Sequence, residues 1–207
     1  MYQTLTIANI QELDKISRLN LVNSCTGFKS ANLIVTSSET HWNVAIFSSV
    51  VHLGSDPAML GIIFRPTTVL RNTLQNMLER TYFTVNHITQ EQIIDAHHTS
   101  AKYDYEVSEF DQTNLDPEQI DTWKVVAVKN SPVQLYCSYV NSYPIAENDT
   151  IFVVAKIEAI RFQKEIQHPD GWLDLSKGQV VAINGLDGYC STELIQRQAY
   201  ARPKKQL

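Results

Sequence analysis

The sequence predicts a mainly β protein of the α+β class, built as a closed or nearly closed antiparallel barrel with added helices. Short β-like runs follow one another without regular alternation with helices, and no G-x-G-x-x-G motif follows any of them. A parallel dinucleotide-binding sheet normally shows both regular alternation of strands with helices and this glycine motif. The chain has 207 residues, of which 43% are hydrophobic and 19% charged, so it can bury a substantial core. We expect one domain over residues 1–207, with residues 1–20 as an extension and residues 99–131 as a long loop or interface arm.

Three β-like runs follow a weakly helical segment at residues 1–24. They span residues 30–37, 43–51 and 59–64, and the third is almost wholly apolar, as in a strand buried on both faces. A glycine and an Asp-Pro pair predict a turn over residues 52–58.

The strongest helix is predicted over Val69–Arg80. Its apolar residues recur at i, i+4, i+7 and i+8, and they are Leu70, Leu74, Met77 and Leu78. Thr67 or Thr68 is the expected cap. The first turn then holds Arg71, Asn72 and Thr73, where unpaired backbone N–H groups favour an anion.

The second half of the chain returns to β structure after one more helix. Thr89-Gln90-Glu91-Gln92 matches a capping box that opens a helix ending near His98. Residues 100–121 are polar, with at most one helical turn near residues 117–121. The last predicted strands span residues 82–86, 133–139, 150–162 and 179–183.

Charge and cysteine content exclude several partners. The net charge of −5 disfavours nucleic acid, and the basic tail Arg202-Pro203-Lys204-Lys205 reads as a solvated terminus. No apolar run approaches the ~18 residues that span a bilayer, and the first ten residues do not resemble a signal peptide. Three cysteines without a C-x-x-C pair argue against a disulfide scaffold. We expect a cytoplasmic protein.

No metal site or protein nucleophile is predicted. The six histidines show no H-x-x-x-H spacing, and the adjacent His97 and His98 diverge by ~100° on a helix. There is no G-x-S-x-G elbow and no phosphate-binding P-loop.

The best candidate site is a set of neutral donors with one strong cation. It suits an anionic, hydrogen-bonding ligand such as a phosphorylated cofactor. Its members are Asn43, Ser48, Ser49, Arg71, Asn72, Thr73 and Asn76. The alternative is structural: the serines would be ordinary strand residues, and the arginine would pair with Glu91 or another surface acid. Composition alone does not name the ligand.

Five segments, taken in order, are similar to the flavin reductase-like family of FMN-binding split barrels. They run from residue 43 to residue 203, and the resemblance extends over nearly the whole chain from about Leu21. The segments are NVAIFSSVVHLGSDPAMLGIIFRP, RNTLQNMLERTYFTVNHI, AHHTSAKYDYEVSEF, SPVQLYCSYVNSYPIAENDTIFVVAKIE and INGLDGYCSTELIQRQAYARP.

The resemblance implies a six-stranded antiparallel split β-barrel with peripheral helices, working as a homodimer with FMN near the subunit interface. The N-x-x-x-F-S-S strand, from Asn43 through Phe47 to Ser48 and Ser49, would lie along the isoalloxazine ring. The phosphate or ribityl contacts would be Arg71, Asn72 and Thr73, with Asn76 one turn on. Further candidates are Asn86, His87, Thr99, Ser100 and Ala101, and Glu109-Phe110 would close the loop.

Two departures from the family pattern stand out. The hairpin SSETHWN lacks a glycine that many relatives carry, so His41 and Trp42 make this rim bulkier. Ala58 follows Asp56-Pro57 where relatives often have a second proline.

The function implied is that of an FMN-dependent oxidoreductase. Hydride from NAD(P)H would pass through bound FMN to free flavin, a ferric chelate, a quinone or a partner oxygenase, with no catalytic side chain of its own. No nicotinamide-binding motif supports the donor. The alternative is a flavin-binding electron carrier or storage protein without NAD(P)H turnover. An oxidase akin to pyridoxamine phosphate oxidase ranks last, because the chain lacks a basic cluster for a second phosphate.

Overall fold

The main sheet has seven antiparallel strands. The structure is a computed structural model, and it describes residues 1–203. The strands of this sheet are β2 (Asn32–Ser37), β3 (Trp42–Phe47), β4 (Val50–Ser55), β5 (Ala58–Phe64), β6 (Tyr82–His87), β9 (Val133–Ile145) and β10 (Thr150–Phe162). Their order in the sheet is β3-β2-β6-β9-β10-β5-β4. Lys204 and Lys205 of the basic tail lie outside the described residues.

Smaller elements surround this sheet. The helices are α1 (Ile7–Glu12), α2 (Lys15–Cys25), α3 (Asn72–Arg80) and α4 (Ile93–His98), with 3₁₀ turns at Gln90–Gln92, Glu109–Gln112 and Lys164–Ile166. Strands β1 (Phe28–Ser30), β11 (Ala182–Asn184) and β12 (Gly188–Cys190) form a three-stranded sheet, and β7 (Pro117–Glu118) pairs with β8 (Ala127–Val128). None of the described helices is long and apolar enough to cross a membrane.

The sheet curls back on itself without closing. Its edge strands β3 and β4 are joined in sequence by Ser48 and Ser49. The end of β3 meets the end of β5 across the gap, since the Phe47 and Phe64 rings pack edge-on at 5.1 Å. At the same corner, the backbone N–H of Ile63 donates to the Ser49 carbonyl at 3.2 Å, which extends the β4–β5 pairing by one residue. The expected six-stranded split barrel, closed or nearly closed, differs from the structure in its strand count, and the sheet is not closed, whereas the mainly β antiparallel fold with helices is confirmed.

Two apolar cores lie on opposite faces of the sheet. Strand β2 shows this most clearly, because Ile34 enters the inner core while Leu33 and Val35 enter the outer one. Side chains alternate between the faces of a strand, so a strand buried on both faces reads as a continuous apolar run. The inner core is covered by α3 through Leu74 and Met77. The outer core is covered by α4 and by the segment from residue 110 to residue 128.

Several predicted boundaries are corrected. The run over residues 43–51 is two strands that break at Ser48-Ser49, and β4 continues to Ser55, so the turn is confined to Asp56 and Pro57. The last predicted strand corresponds to β11, which begins at Ala182 instead of residue 179. The turn expected at residues 117–121 contains β7, because its backbone pairs with β8.

Helix α3 begins later than predicted. It starts at Asn72, and its cap residue is Arg71, which makes no side-chain cap bond, so Thr67 and Thr68 do not cap it. Leu70 and Leu78 are 62% and 52% exposed. Residues 65–71 are needed to cross from the end of β5 to the helix, which is why the apolar stripe starts late. The capping box at Thr89 is confirmed, and it opens a 3₁₀ turn that leads into α4.

Candidate functional site

The corner between β3 and β4 exposes polar groups beside an aromatic pair. The Ser49 hydroxyl is already used, because it donates to the Ile63 carbonyl at 2.7 Å. The half-buried Ser48 hydroxyl makes no hydrogen bond within residues 1–203, so it is free to bind a ligand. Phe47 and Phe64 form an apolar wall next to these serines.

The start of α3 carries an uncompensated positive charge. Arg71 is half-buried, and its Nε and Nη2 donate to the Pro66 carbonyl at 3.3 and 3.2 Å. It pairs with no carboxylate in the described part of the chain, so the predicted alternative of an Arg71–Glu91 pair is wrong. No side chain caps the helix, which leaves backbone N–H groups of its first turn unpaired. An uncapped helix start beside a held guanidinium is a favourable place for an anion.

These two places lie along one strand. The crossing segment 65–71 leaves β5 beside Phe47, and it ends at a helix whose Thr73 bonds to Asn43 at the start of β3. It therefore runs beside β3 from its end towards its start. The four-residue step from Asn43 to Phe47 covers ~13 Å. An elongated ligand can reach both the corner and the helix start.

A row of orphaned polar atoms ends at the same corner. Asn32 lies opposite Phe47 on one side and opposite His87 on the other, across β3, β2 and β6. Asn32 Oδ1 and His87 Nδ1 are buried without a hydrogen-bond partner among the described residues. Burial lowers the pKa of His87 to about 4, so its imidazole is neutral near pH 7. Unpaired buried polar atoms are costly, and a bound polar group would relieve that cost.

The predicted residues at the start of β3 are engaged inside the protein. Asn43, Thr73 and Asn76 are buried, and they form one hydrogen-bonded network with Thr36. The buried carboxylate of Glu109 joins it by accepting from Asn43 Nδ2. Burial raises the pKa of Glu109, although hydrogen bonds from Val44 N–H and Asn43 oppose the rise.

Apart from His87, the further candidates lie away from the corner. Asn86 is fully buried, donates to the Leu33 carbonyl at 3.0 Å and accepts from Val128 N–H at 3.0 Å, so it ties β6 to its neighbours. Thr99 Oγ1 donates to the Ala96 carbonyl at the end of α4. Ser100 and Ala101 follow as exposed residues whose N–H groups bond to the last turn of that helix. Asn86 is therefore engaged within the protein, whereas Ser100 uses its backbone N–H on the helix end, and their contacts with a ligand stay predictions.

The bulky rim borders a cavity of its own. His41 packs edge-on against Tyr105 at 5.9 Å and lies with Trp42 beside a surface cavity of about 580 Å³. This cavity reaches Phe110 of the long loop and does not include Ser48 or Arg71. Within residues 1–203, no three histidine, cysteine or acidic side chains gather as a metal site.

Sequence reasoning missed Asn32 and Thr36, and it did not foresee the buried bonds of Glu109. Both residues lie two positions from Ile34 in β2, so strand periodicity places them on the same inner face as Ile34. A polar residue at such a position is the signal that could have found them. For Glu109 no local signal existed, because its partner Asn43 lies 66 residues away.

Comparison with known proteins connects this geometry to a family. The model of the flavin reductase like domain matches residues 25–182. A crystal structure from Shewanella frigidimarina NCIMB 400, assigned as a flavin reductase with a split barrel domain, is 36% identical. It superposes with a TM-score of 0.93 over 97% of this chain and 100% of that one.

More distant structures share the fold. Nitrilotriacetate monooxygenase component B from Bacillus cereus has a TM-score of 0.82 at 15% identity, covering 96% of this chain and 100% of that one. An FMN-binding protein from Thermus thermophilus has a TM-score of 0.68 at 14% identity, covering 86% of this chain and 93% of that one.

A sequence relative is also found. An uncharacterized Aquifex aeolicus (strain VF5) protein is 27% identical over 112 residues, which is 53% of this chain and 57% of that protein.

The family match covers well over half of the chain, and the Shewanella structure extends the likeness to nearly all of it. The chain belongs to the flavin reductase-like domain family, with the split-barrel fold of that family.

Proposed function

We propose that this protein is an FMN-dependent oxidoreductase that takes hydride from NAD(P)H and passes it to a small-molecule acceptor or a partner oxygenase. Free flavin, ferric chelates and quinones are the candidate acceptors. The observation that carries the proposal is Arg71, a half-buried cation without a carboxylate partner in residues 1–203, at an uncapped helix start. Family membership makes a flavin phosphate the expected anion.

The phosphate end of the site would be built by Arg71 and the first turn of α3. The guanidinium uses two N–H groups on the Pro66 carbonyl, so others remain for an anion. The backbone N–H groups of Asn72 and Thr73 lie in the same uncapped turn. Charge-assisted hydrogen bonds of this kind are about twice as strong as neutral ones.

The ring end of the site would be the corner after β3. Ser48 has a free hydroxyl, and the neighbouring backbone supplies further donors. Asn32 and His87 present the orphaned polar atoms described above. Phe47 and Phe64 would keep water from one side of a planar ligand. The donor set and the apolar wall therefore fit a flavin.

Bound FMN would supply the hydride chemistry, and the protein would supply position and electrostatics. Donors at the Ser48-Ser49 corner would stabilise negative charge that accumulates on reduction. Arg71 would neutralise the phosphate. The neutral imidazole of His87 adds no charge next to the ring, because its pKa is lowered to about 4.

A homodimer in the cytoplasm is part of the same proposal. Edge strand β4 exposes Val51 and Leu53, and the far half of β9 exposes Val140 and Tyr143, each at roughly half of its surface. Exposed apolar side chains on an unpaired edge favour burial against a second copy. The cysteines Cys25, Cys137 and Cys190 are all free thiols, which suits a reducing compartment. Sedimentation of the wild type and of Leu53→Glu tests the dimer, and the charge should shift the protein towards monomer.

The decisive experiment is the visible spectrum of purified protein after incubation with FMN and desalting. Flavin bands near one per chain support the cofactor, whereas a colourless protein argues against tight binding. Steady-state oxidation of NADH and NADPH then separates the two functions. An electron carrier or storage protein would retain flavin without turnover above the uncatalysed rate.

A further inference from the structure

Glu109 is a buried carboxylate that has hydrogen bonds but no counter-ion. It is 6% exposed, and it accepts from Asn43 Nδ2 at 2.8 and 2.9 Å through its two oxygens. It also accepts from the Val44 N–H at 2.9 Å. No lysine or arginine forms an ion pair with it anywhere in residues 1–203. Burying such a group is costly, so the network around it must compensate.

The carboxylate fixes the direction of every neighbouring hydrogen bond. Since an ionised carboxylate only accepts, the Asn43 amide must turn its NH₂ towards Glu109 and its oxygen the other way. That oxygen then accepts from Thr73 Oγ1 at 3.0 Å and from Thr36 Oγ1 at 3.4 Å. Thr36 Oγ1 in turn accepts from Asn76 Nδ2 at 3.0 Å.

These directed hydrogen bonds lead from Glu109 to both buried polar side chains of α3. Thr73 and Asn76 are the two polar residues by which the first turns of the helix bond to the sheet. The long loop is tied to the same place, because Ser108 Oγ donates to the Trp42 carbonyl at 2.6 Å. One carboxylate therefore connects the loop, the start of β3 and the start of the helix.

We propose that Glu109 is a positioning residue for the anion site: by orienting Asn43, it holds the start of α3, and thus Arg71, in place against β3. The identity of the anion rests on the proposed function, whereas the positioning does not. A corollary concerns Thr73. Its single hydroxyl proton is committed to Asn43, so the side chain has none left for a phosphate, and only its backbone N–H can contact one.

The first test needs no ligand. Glu109→Gln keeps the size of the side chain but puts an amide NH₂ opposite an N–H donor in either orientation, so the Asn43 amide loses at least one acceptor and is no longer held in one orientation. Hydrogen exchange of the protein without added ligand should then be faster by about fivefold or more in the peptide covering residues 72–80. Glu106→Gln is the matched control, because Glu106 is exposed on the same loop and makes no side-chain bond in the described chain. Unchanged exchange in Glu109→Gln would overturn the proposal.

A second pair of variants tests the route through Thr73. Thr73→Val removes the hydroxyl that bonds to Asn43, and Thr73→Ser keeps it. We expect the valine variant to accelerate exchange like Glu109→Gln, the serine variant to restore protection, and the double variant Glu109→Gln/Thr73→Val to be no worse than either single one. Additive effects would show that the two residues act separately. If Glu109→Gln does not fold, the two Thr73 variants test the proposal. Faster hydrogen exchange in both Thr73→Val and Thr73→Ser would contradict it.

The final readout is the dissociation constant of FMN as a function of pH. His41 on the hairpin is the titratable group whose charge acts on Glu109. Tyr105 packs against His41, and Asp111 lines the same cavity as His41. Protonation of Glu109, whose pKa is raised by burial, adds a donor against the Asn43 amide. On acidification from pH 8, the wild type and Glu106→Gln should therefore lose more FMN affinity than titration of the FMN phosphate alone causes. Glu109→Gln should bind FMN about tenfold more weakly at pH 8, the effect of roughly one lost hydrogen bond, and should keep only the part of the pH dependence that comes from the phosphate. A parallel pH profile in all three proteins would contradict the proposal. Absence of FMN binding to the wild type would defeat the proposed function and leave the exchange test of Glu109 valid.

Discussion

The two ends of strand β3 carry similar residues with opposite states of hydrogen bonding. At its start, Asn43 is buried and every polar atom of its side chain has a protein partner. At its end, Ser48 is half-buried with a free hydroxyl, and Asn32 and His87 nearby have orphaned atoms. Asparagine, serine and threonine therefore serve the fold at one end, and they are available to a ligand at the other. Residue type alone does not separate these roles, but hydrogen-bond satisfaction does.

The largest expected effect is at the satisfied end. Asn43→Ala removes the amide that solvates the Glu109 carboxylate, which leaves a buried charge with one N–H partner. We expect the free energy of unfolding to fall by about 3 kcal/mol, because a buried ionised group loses most of its compensation. Urea unfolding monitored by circular dichroism measures it. A loss below about 1 kcal/mol, within the range of a surface substitution, would remove the network from the stability of the fold.

The next largest effect is expected at Arg71, which, like Ser48, keeps donors free for a ligand. Arg71→Ala should weaken FMN binding by about 1.5–3 kcal/mol and leave stability nearly unchanged, since a charge-assisted contact to ligand is lost. Titration of flavin fluorescence measures the dissociation constant. Arg80→Ala is the control, because Arg80 ends the same helix in an exposed ion pair with Glu39. Equal effects of the two substitutions would indicate a general charge effect instead of a site.

His87 gives a pH-dependent prediction. The folded protein keeps this imidazole neutral down to its pKa of about 4, while the unfolded chain protonates it near 6.5. The unfolded state therefore binds more protons in this window, so the stability of the wild type should fall as the pH falls from about 6.5 to 4. His87→Leu should flatten this slope, and urea midpoints at a series of pH values measure it. Glu109 acts in the opposite direction because its pKa is raised. The informative quantity is therefore the difference in the slope of stability against pH between the wild type and His87→Leu.

The smallest expected effect is at Ser48. Ser48→Ala removes a hydroxyl without a protein partner, so stability should change by less than about 0.5 kcal/mol. If the hydroxyl contacts the flavin, FMN affinity should fall by about 0.5–1.5 kcal/mol, the net worth of one neutral hydrogen bond. Ser49→Ala is the contrasting variant, since Ser49 bonds to the Ile63 carbonyl and should lose stability as well.

Local patterns predicted the elements, and long-range packing decided the rest. The capping box at Thr89 and the alternation in β10 were sufficient for their elements, because both signals lie within a few residues. The apolar periodicity predicts that α3 begins at Val69 instead of Asn72, because the positions of Leu70 and Leu78 suggest burial that the fold does not provide. The seventh strand was missed because β4 continues a run that reads as one strand with its predecessor.

For the site, the sequence predicts ligand contacts at Arg71 and Ser48, both of which keep donors without a protein partner in residues 1–203, and this stays a prediction. It could not tell that Asn43 and Asn76 are engaged within the protein, because their partners Glu109 and Thr36 are 66 and 40 residues away. A satisfied polar residue and a free one look the same in a sequence.

The bond between Asn43 and Glu109 also bears on the order of folding. It joins residues 66 positions apart, so it closes a long loop whose entropy cost must be met by contacts formed earlier. The hairpin of β2 and β3 can form from local contacts first, whereas the segment from residue 99 to residue 131 must dock afterwards. The helix start that carries Arg71 would then reach its final position in a late step. A ligand that needs this position would bind only to chains that have completed folding, and its retention would report the fraction of fully folded protein.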